Sequence, residues 1–378
     1  MIALALLLQA AASAPTSSPV LPRMTVYVAS EAVDNVSKVE FGPSGARIVK
    51  VIPVNPRGSE NDGPHNLNVS PDRKFWYVDI AHGTPNGSLW QFDMATDSLV
   101  GRTTLSRFPA TIHFSPDGDF AWVANFNLYG DMVPSSVSVV YTPAMSEVAR
   151  VPTCLMPHGL RLLPDGSRVY MTCMMDDKVV EIDPQTYKVR RVSVVKPGME
   201  RVVETTDPMF DRAEHAAHAM PMTHDGPDQA AVCAPTWVQP SPDGHRLFVT
   251  CNKHSEVLEL DQATMRVTRR FATGRAPYNL AITPDGTLLV ATLKAINMLS
   301  IIDLATGREV AQLPTSHTVP SGVQVTPDGR YAIVSQEGKG AEAGAVDVFD
   351  LVTRTRVGSI EVGAGAGGLQ IAAYGGER

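Results

Sequence analysis

Three of the ten histidines in this chain, His215, His218 and His224, fall within ten residues. A three-residue spacing puts His215 and His218 on one face of a helical turn, where two neutral imidazoles can chelate a metal. His65, His158 and His254 are the further candidate ligands. Imidazole suits zinc and copper, and Met174, Met220 and Met222 would tilt the choice toward copper if their thioethers joined in. The plainer alternatives are a solvated His-rich loop, histidines that act as hydrogen-bonded spacers, and methionines that fill gaps in a core. The cysteines, Cys154, Cys173, Cys233 and Cys251, form no Cys-x-x-Cys-His, which excludes covalent c-type haem. No Gly-x-Ser-x-Gly elbow, phosphate loop or His-Glu-x-x-His zinc helix occurs either.

What must position these residues is a repeat. Ser70-Pro71-Asp72-Arg73, Ser115-Pro116-Asp117-Gly118, Leu163-Pro164-Asp165-Gly166, Ser241-Pro242-Asp243-Gly244, Thr283-Pro284-Asp285-Gly286 and Thr326-Pro327-Asp328-Gly329 are tight turns. Proline presets φ, aspartate bonds its own backbone, and glycine accepts a positive φ. The prolines lie 45, 48, 78, 42 and 43 residues apart, and four of those gaps fit a four-stranded propeller blade. An apolar second strand such as Trp76-Tyr77-Val78 follows each turn. A third strand comes next, then a charged outer strand such as Arg266-Val267-Thr268-Arg269-Arg270, which discourages edge pairing. Second strands number seven, turns six. The missing inner strand is found in Gly367–Tyr374, so the chain is predicted to be all-β, a seven-bladed β-propeller closed by the C-terminal strand completing the first blade. Gly363–Gly368 imitates a dinucleotide-binding glycine spacing but leads into a strand, not a helix.

Repeats of the form Pro-x-x-apolar-x-apolar-Ser-Pro-Asp-Gly, followed by a strand containing Tyr-Val, run from about Met24 to Tyr374. They resemble the YVTN family of seven-bladed propellers, relatives of the lactonase-type and cytochrome d1-haem-type propellers. The Tyr-Val-Thr-Asn signature is degenerate here, as in Phe248-Val249-Thr250-Cys251-Asn252. The resemblance implies the fold and allows several functions: metal-assisted lactone or ester hydrolysis, an oxidoreductase role at copper or haem, or a protein-interaction scaffold.

In such a blade the inner strand starts and the second strand ends on one face, beside the central channel. That rim collects polar groups, giving His65, Asn66, His82, Asn125, His158, Trp237, Lys253, Tyr278, Asn279, Lys294 and Glu337 as candidate ligand-binding residues. The 78-residue gap places an insertion, residues 197–234, on the same face, where a long loop acts as a lid. Cys154 and Cys173 in blade four occupy places matched by Cys233 and Cys251 in blade five. Two intrablade disulfides are expected, with a thiolate metal site or free thiols as alternatives. The expected function is an exported propeller that binds a small ligand or transition metal at the His-rich channel mouth.

Composition narrows the partners. A net charge of −7 and no long basic run argue against nucleic acid and anionic membrane. Small molecules, metal ions or proteins remain, and a monomer is expected. Residues 1–23 read as a secretory signal peptide and leader, with an apolar run ending at Ala14 that is too short to span a bilayer. The mature domain is expected over residues 24–378, in the periplasm or secreted.

Overall fold

The computed structural model describes residues 21–55, 62–83, 85–205 and 231–375. Seven antiparallel sheets form a ring. Blade one is made of Met24–Ser30, Asn35–Gly42 and Gly45–Pro53, with Ala366–Tyr374 as its inner strand. Val26 pairs with Ile371 and Val28 with Leu369, so the two ends of the chain close the ring. The expected leader lies outside the described residues up to residue 20, while Leu21 already packs in the core between blades one and seven.

Each pair of neighbouring blades shares an apolar cluster. Between blades one and two, for example, Tyr27, Val36, Leu67, Trp76 and Phe92 are buried together, with the Trp76 and Phe92 rings stacked at 4.0 Å. Outer strands alternate exposed and covered residues, as in Val267–Ala272. Blade four departs from the expected four strands, because Arg201–Glu204 pairs with Lys188–Val194 as a fifth. The first stretch of the expected lid is therefore an edge strand. His215, His218, Met220, Met222 and His224 lie outside the described residues.

The six Pro-Asp turns form as expected. In blade five the Ser241 hydroxyl accepts the Arg246 N–H at 3.0 Å, and Asp243 accepts the His245 N–H at 3.0 Å. The glycine seat is left-handed throughout, and Arg73 fills it at φ 57° where the others have glycine.

A second repeat, at the opposite ends of the inner strands, matters more for function. The residue before every inner strand is left-handed: Gly63, Phe108, Met156, Ala234, Ala276, Val319 and Gly365. Its carbonyl accepts the backbone N–H of the residue one past the end of the second strand, in all seven blades. Glu31, Ala81, Phe126, Met174, Asn252, Lys294 and Glu337 thereby take equivalent seats around one rim.

Two disulfides, Cys154–Cys173 and Cys233–Cys251, tie the approach to the inner strand to the end of the second strand in blades four and five. They close loops of 19 and 18 residues. Replacing Cys154 and Cys173 together by serine should cost about 3 kcal/mol, since a loop of this length loses about that much chain entropy when crosslinked. Chemical denaturation of the native and double-variant proteins measures the difference.

Candidate functional site

The rim seats bring acids, bases and aromatic rings to one mouth. In blade one the chain turns at Glu31, whose carboxylate reaches blade two and takes two imidazoles. His65 Nδ1 lies 2.8 Å from Oε2, and His82 Nε2 lies 2.5 Å from Oε1. Burial alone would raise the Glu31 carboxyl. The charge of His65 and the hydrogen bonds from both rings outweigh it and hold Glu31 well below the usual carboxylate range. Burial likewise opposes a charge on His65, yet Glu31 foremost, then Asp79 and Glu337, lift it above an ordinary histidine. Gly63 is required beneath this group, because a Cβ there would stand 2.1 Å from the His82 ring.

Across the mouth, Lys294 Nζ donates to Glu337 Oε1 at 2.7 Å and sits 3.7 Å from the centre of the Tyr278 ring. Burial would lower the lysine, but Tyr278 and Glu337 reverse that and raise it. His158 forms the floor and is fully buried. Its Nδ1 donates to the Thr236 carbonyl at 2.9 Å, so its Nε2 accepts the Tyr278 hydroxyl at 3.0 Å. Burial, then the charge of His65, push His158 down to about 3, and it stays neutral. The remaining side is apolar: Phe108, Phe126 and Met156 pack together, with Tyr129 5.6 Å from Phe108 and 5.5 Å from His82. Met174 joins that cluster as packing. Below the mouth a channel cavity of about 190 Å³ is lined by His65, Asn66, His158, Trp237, Tyr278 and Asn279, among others.

The structure thus brings His65, His82, His158, Tyr278, Lys294 and Glu337 together with the cavity-lining Asn66, Trp237 and Asn279. Other expected residues stand apart. Asn125 is buried in blade three, donating to Ser136 at 3.1 Å and Ser138 at 2.9 Å. Lys253 is exposed, and His254 Nδ1 lies 2.9 Å from Glu256, which also holds Arg270. Among the described residues no three His, Cys, Asp or Glu side chains are grouped as a metal centre. Both ring nitrogens of His158 are engaged, and His65 gives Nδ1 to Glu31.

Sequence reasoning missed Glu31 and Asp79. Glu31 follows Val26-Tyr27-Val28-Ala29-Ser30, the second strand of blade one, and the rim rule applied to that blade points to it. Asp79 breaks a pattern. At its position Thr172, Thr250, Thr292 and Ser335 each accept a backbone N–H from their own inner strand, from Gly159, Trp237, Asn279 and Gly322. Each also donates to a carbonyl of the next blade. Asp79 Oδ1 accepts from His65 N at 3.2 Å and Asn66 N at 2.7 Å, while its buried Oδ2 has no partner.

A carboxylate accepts but cannot donate, so the ionised form leaves the second half of this device unmade. Burial raises Asp79 to about 7, against the opposing charge of His65 and the two N–H bonds. The unfolded carboxyl ionises near pH 4, so between roughly pH 4 and 7 the folded chain keeps a proton that the unfolded chain releases. Stability from this group is complete below pH 4 and lost as pH rises through 7. Asp79→Asn, which can both accept and donate, should exceed the native protein at pH 8 by roughly 2–4 kcal/mol and show no such gain at pH 4. Denaturation at the two pH values tests this, and destabilisation at pH 8 would mean that the ionised form is the one the fold needs.

No family model and no curated protein matches the chain. Solved structures do. Hydrazine synthase of Kuenenia stuttgartiensis is 20% identical with a TM-score of 0.62, over 83% of this chain and 93% of that one. A protein of unknown function from Desulfotomaculum acetoxidans is 12% identical with a TM-score of 0.67, over 92% and 98%. A candidate 6-phosphogluconolactonase from Bacteroides uniformis is 15% identical with a TM-score of 0.66, over 93% and 100%. At these identities the likeness is one of fold, and the fold is the seven-bladed β-propeller.

Proposed function

We propose that this chain is an exported propeller of the YVTN kind that takes a small polar organic molecule into the mouth of its channel. The observation that carries this reading is the convergence of Glu31, His65, His82, Tyr278, Lys294 and Glu337 at one mouth, above a cavity lined by His65, His158 and Tyr278, with Phe108 and Tyr129 packed against the His82 ring. Small ligands bind in concave sites where a few polar groups converge, and a lining this rich in imidazole, amide and hydroxyl groups suits a polar one. Two disulfides favour an oxidising compartment, and the apolar leader supports export. No helix among the described residues is long and apolar enough to cross a membrane.

Hydrolysis of a lactone or ester is the second reading. Glu31 fixes the His65 ring through Nδ1, the arrangement in which an imidazole moves a proton at its other nitrogen. Lys294 stands at the same mouth and would stabilise negative charge developing on a carbonyl oxygen. A bound transition metal is a third reading. It needs His215, His218 or His224 to join His65, since His65, His82 and His254 are already bonded to carboxylates and His158 to a carbonyl and a hydroxyl.

A thermal-shift screen of small lactones, esters, sugars and organic acids tests the first reading. A ligand at a hundred times its Kd adds about 2.7 kcal/mol of stability. That gain should disappear in His65→Gln and Lys294→Met, and a gain that persists in both would place binding elsewhere. Metal analysis of untagged protein, after reconstitution with copper or zinc, addresses the third. Less than about a tenth of an equivalent would remove it.

A further inference from the structure

Three residues below the rim, the inner strands carry a second polar ring: Asn68, His113, Arg161, Gln239, Gln324 and Gln370, five of which line the same cavity as the mouth residues. Apart from Arg161 the ring is neutral. Asn68 donates to the Ile112 carbonyl at 3.0 Å, and Gln324 donates to Gln370. Burial, then the nearby Arg161, push His113 down to about 3. Arg161 has only neutral partners among the described residues. Its Nε donates to Gln239 at 3.2 Å, its Nη1 to the Leu160 carbonyl at 2.8 Å, and its guanidinium lies 4.7 Å from the Trp237 ring. Burial alone lowers it to about 10, which still leaves it charged at neutral pH. Beside it, the Trp237 N–H is buried without an acceptor.

Arg161 is half-buried in the channel, and a cation withdrawn from water without a counter-charge is unfavourable, so that proteins otherwise pair it or replace it. A guanidinium fork matches a carboxylate or phosphate. We propose that the channel holds a small organic oxyanion, with its carboxylate or phosphate on Arg161 and the rest of the molecule extending toward His65 and Tyr278. This rests on the reading that the mouth admits a small ligand, and it names that ligand's charged end.

Calorimetric titration of the full chain at constant ionic strength, with inorganic phosphate, acetate and succinate in separate arms, tests it. At least one probe should bind the native protein, and Arg161→Met should weaken it roughly tenfold or more, as expected for loss of a charge-assisted bidentate pair. Arg161→Lys, which keeps the charge, should retain part of the affinity. The ligand-free melting temperature of Arg161→Met should equal or exceed the native value, because an unpaired charge has been removed. Binding of phosphate alone, or of the carboxylates alone, identifies the oxyanion. No binding by any probe up to about 10 mM, or equal binding by native and Arg161→Met, overturns the proposal. So does a lower ligand-free melting temperature in both Arg161 variants, which would mark the residue as structural. His65→Gln separates the two readings. If the oxyanion probes bind and depend on Arg161 but not on His65, while no neutral ligand binds, only the mouth reading fails. If neutral ligands bind in a His65-dependent way and the oxyanions do not, only the inference fails.

Discussion

The hydrogen bond from the residue past each second strand to the left-handed residue before each inner strand is the constraint on which the mouth depends. It recurs in all seven blades, from Glu31 with Gly365 to Glu337 with Val319. Its left-handed member is glycine only at Gly63 and Gly365. Phe108, Met156, Ala234, Ala276 and Val319 adopt positive φ at a cost that glycine would not incur. Strain of this kind persists where the surroundings over-determine the backbone. Here they do: each such residue is followed by an inner strand whose start is fixed from behind by its own second strand. In return, seven side chains emerge at equivalent points around the channel. What sits there is then free to vary, and it varies from Glu31 to Phe126 to Lys294.

That variation is not evenly spread. Blades four to seven repeat the hydroxyl device at Thr172, Thr250, Thr292 and Ser335, each joining its blade to the next. Blades one and three have Ala29 and Ala124 in its place, and blade two has Asp79. The carboxylate–imidazole group and the aromatic part of the apolar wall, Phe108, Phe126 and Tyr129, lie on the three blades that lack the hydroxyl. Asp79 links the two roles, since the carboxyl that replaces the hydroxyl holds the backbone of His65 and also biases its charge. A protonated Asp79 serves the fold best, whereas an ionised one strengthens the positive charge on His65. The two demands compete within one buried group.

The fold was legible because its signals are local. Pro-Asp-Gly turns need only four consecutive residues, and the surplus of second strands over turns pointed to ring closure by the C-terminal strand. The site was legible in part. The rim rule found His65, His82, His158, Tyr278, Lys294 and Glu337 because strand ends can be placed from the repeat. It could not show that Asn125 would spend its amide on Ser136 and Ser138, or that His254 would turn to Glu256. Those are choices of rotamer and partner across strands. Glu31 and Arg161 were within reach of the same reasoning: the first by extending the rim rule to blade one, the second by following the inner strands inward from the rim. The fifth strand of blade four was not, because Arg201–Glu204 carries no feature that separates an edge strand from a loop.

The insertion after blade four raises a register problem that the disulfides and one aspartate answer together. A longer connection costs little in closure entropy, about 0.6 kcal/mol for each doubling of length. The greater danger is imprecision, since a strand that enters one residue early presents every side chain to the wrong face. Asp177 accepts the N–H of Val232 at 2.7 Å and of Ala234 at 2.8 Å, and Cys233, between them, is bonded to Cys251. Three consecutive residues are thus held just before Pro235. Blade five therefore starts in register, which sets Trp237 and Gln239 against Arg161 and aligns the Thr236 carbonyl with His158. The covalent bond nearest the insertion thus protects the geometry of the channel rather than the stability of the blade alone.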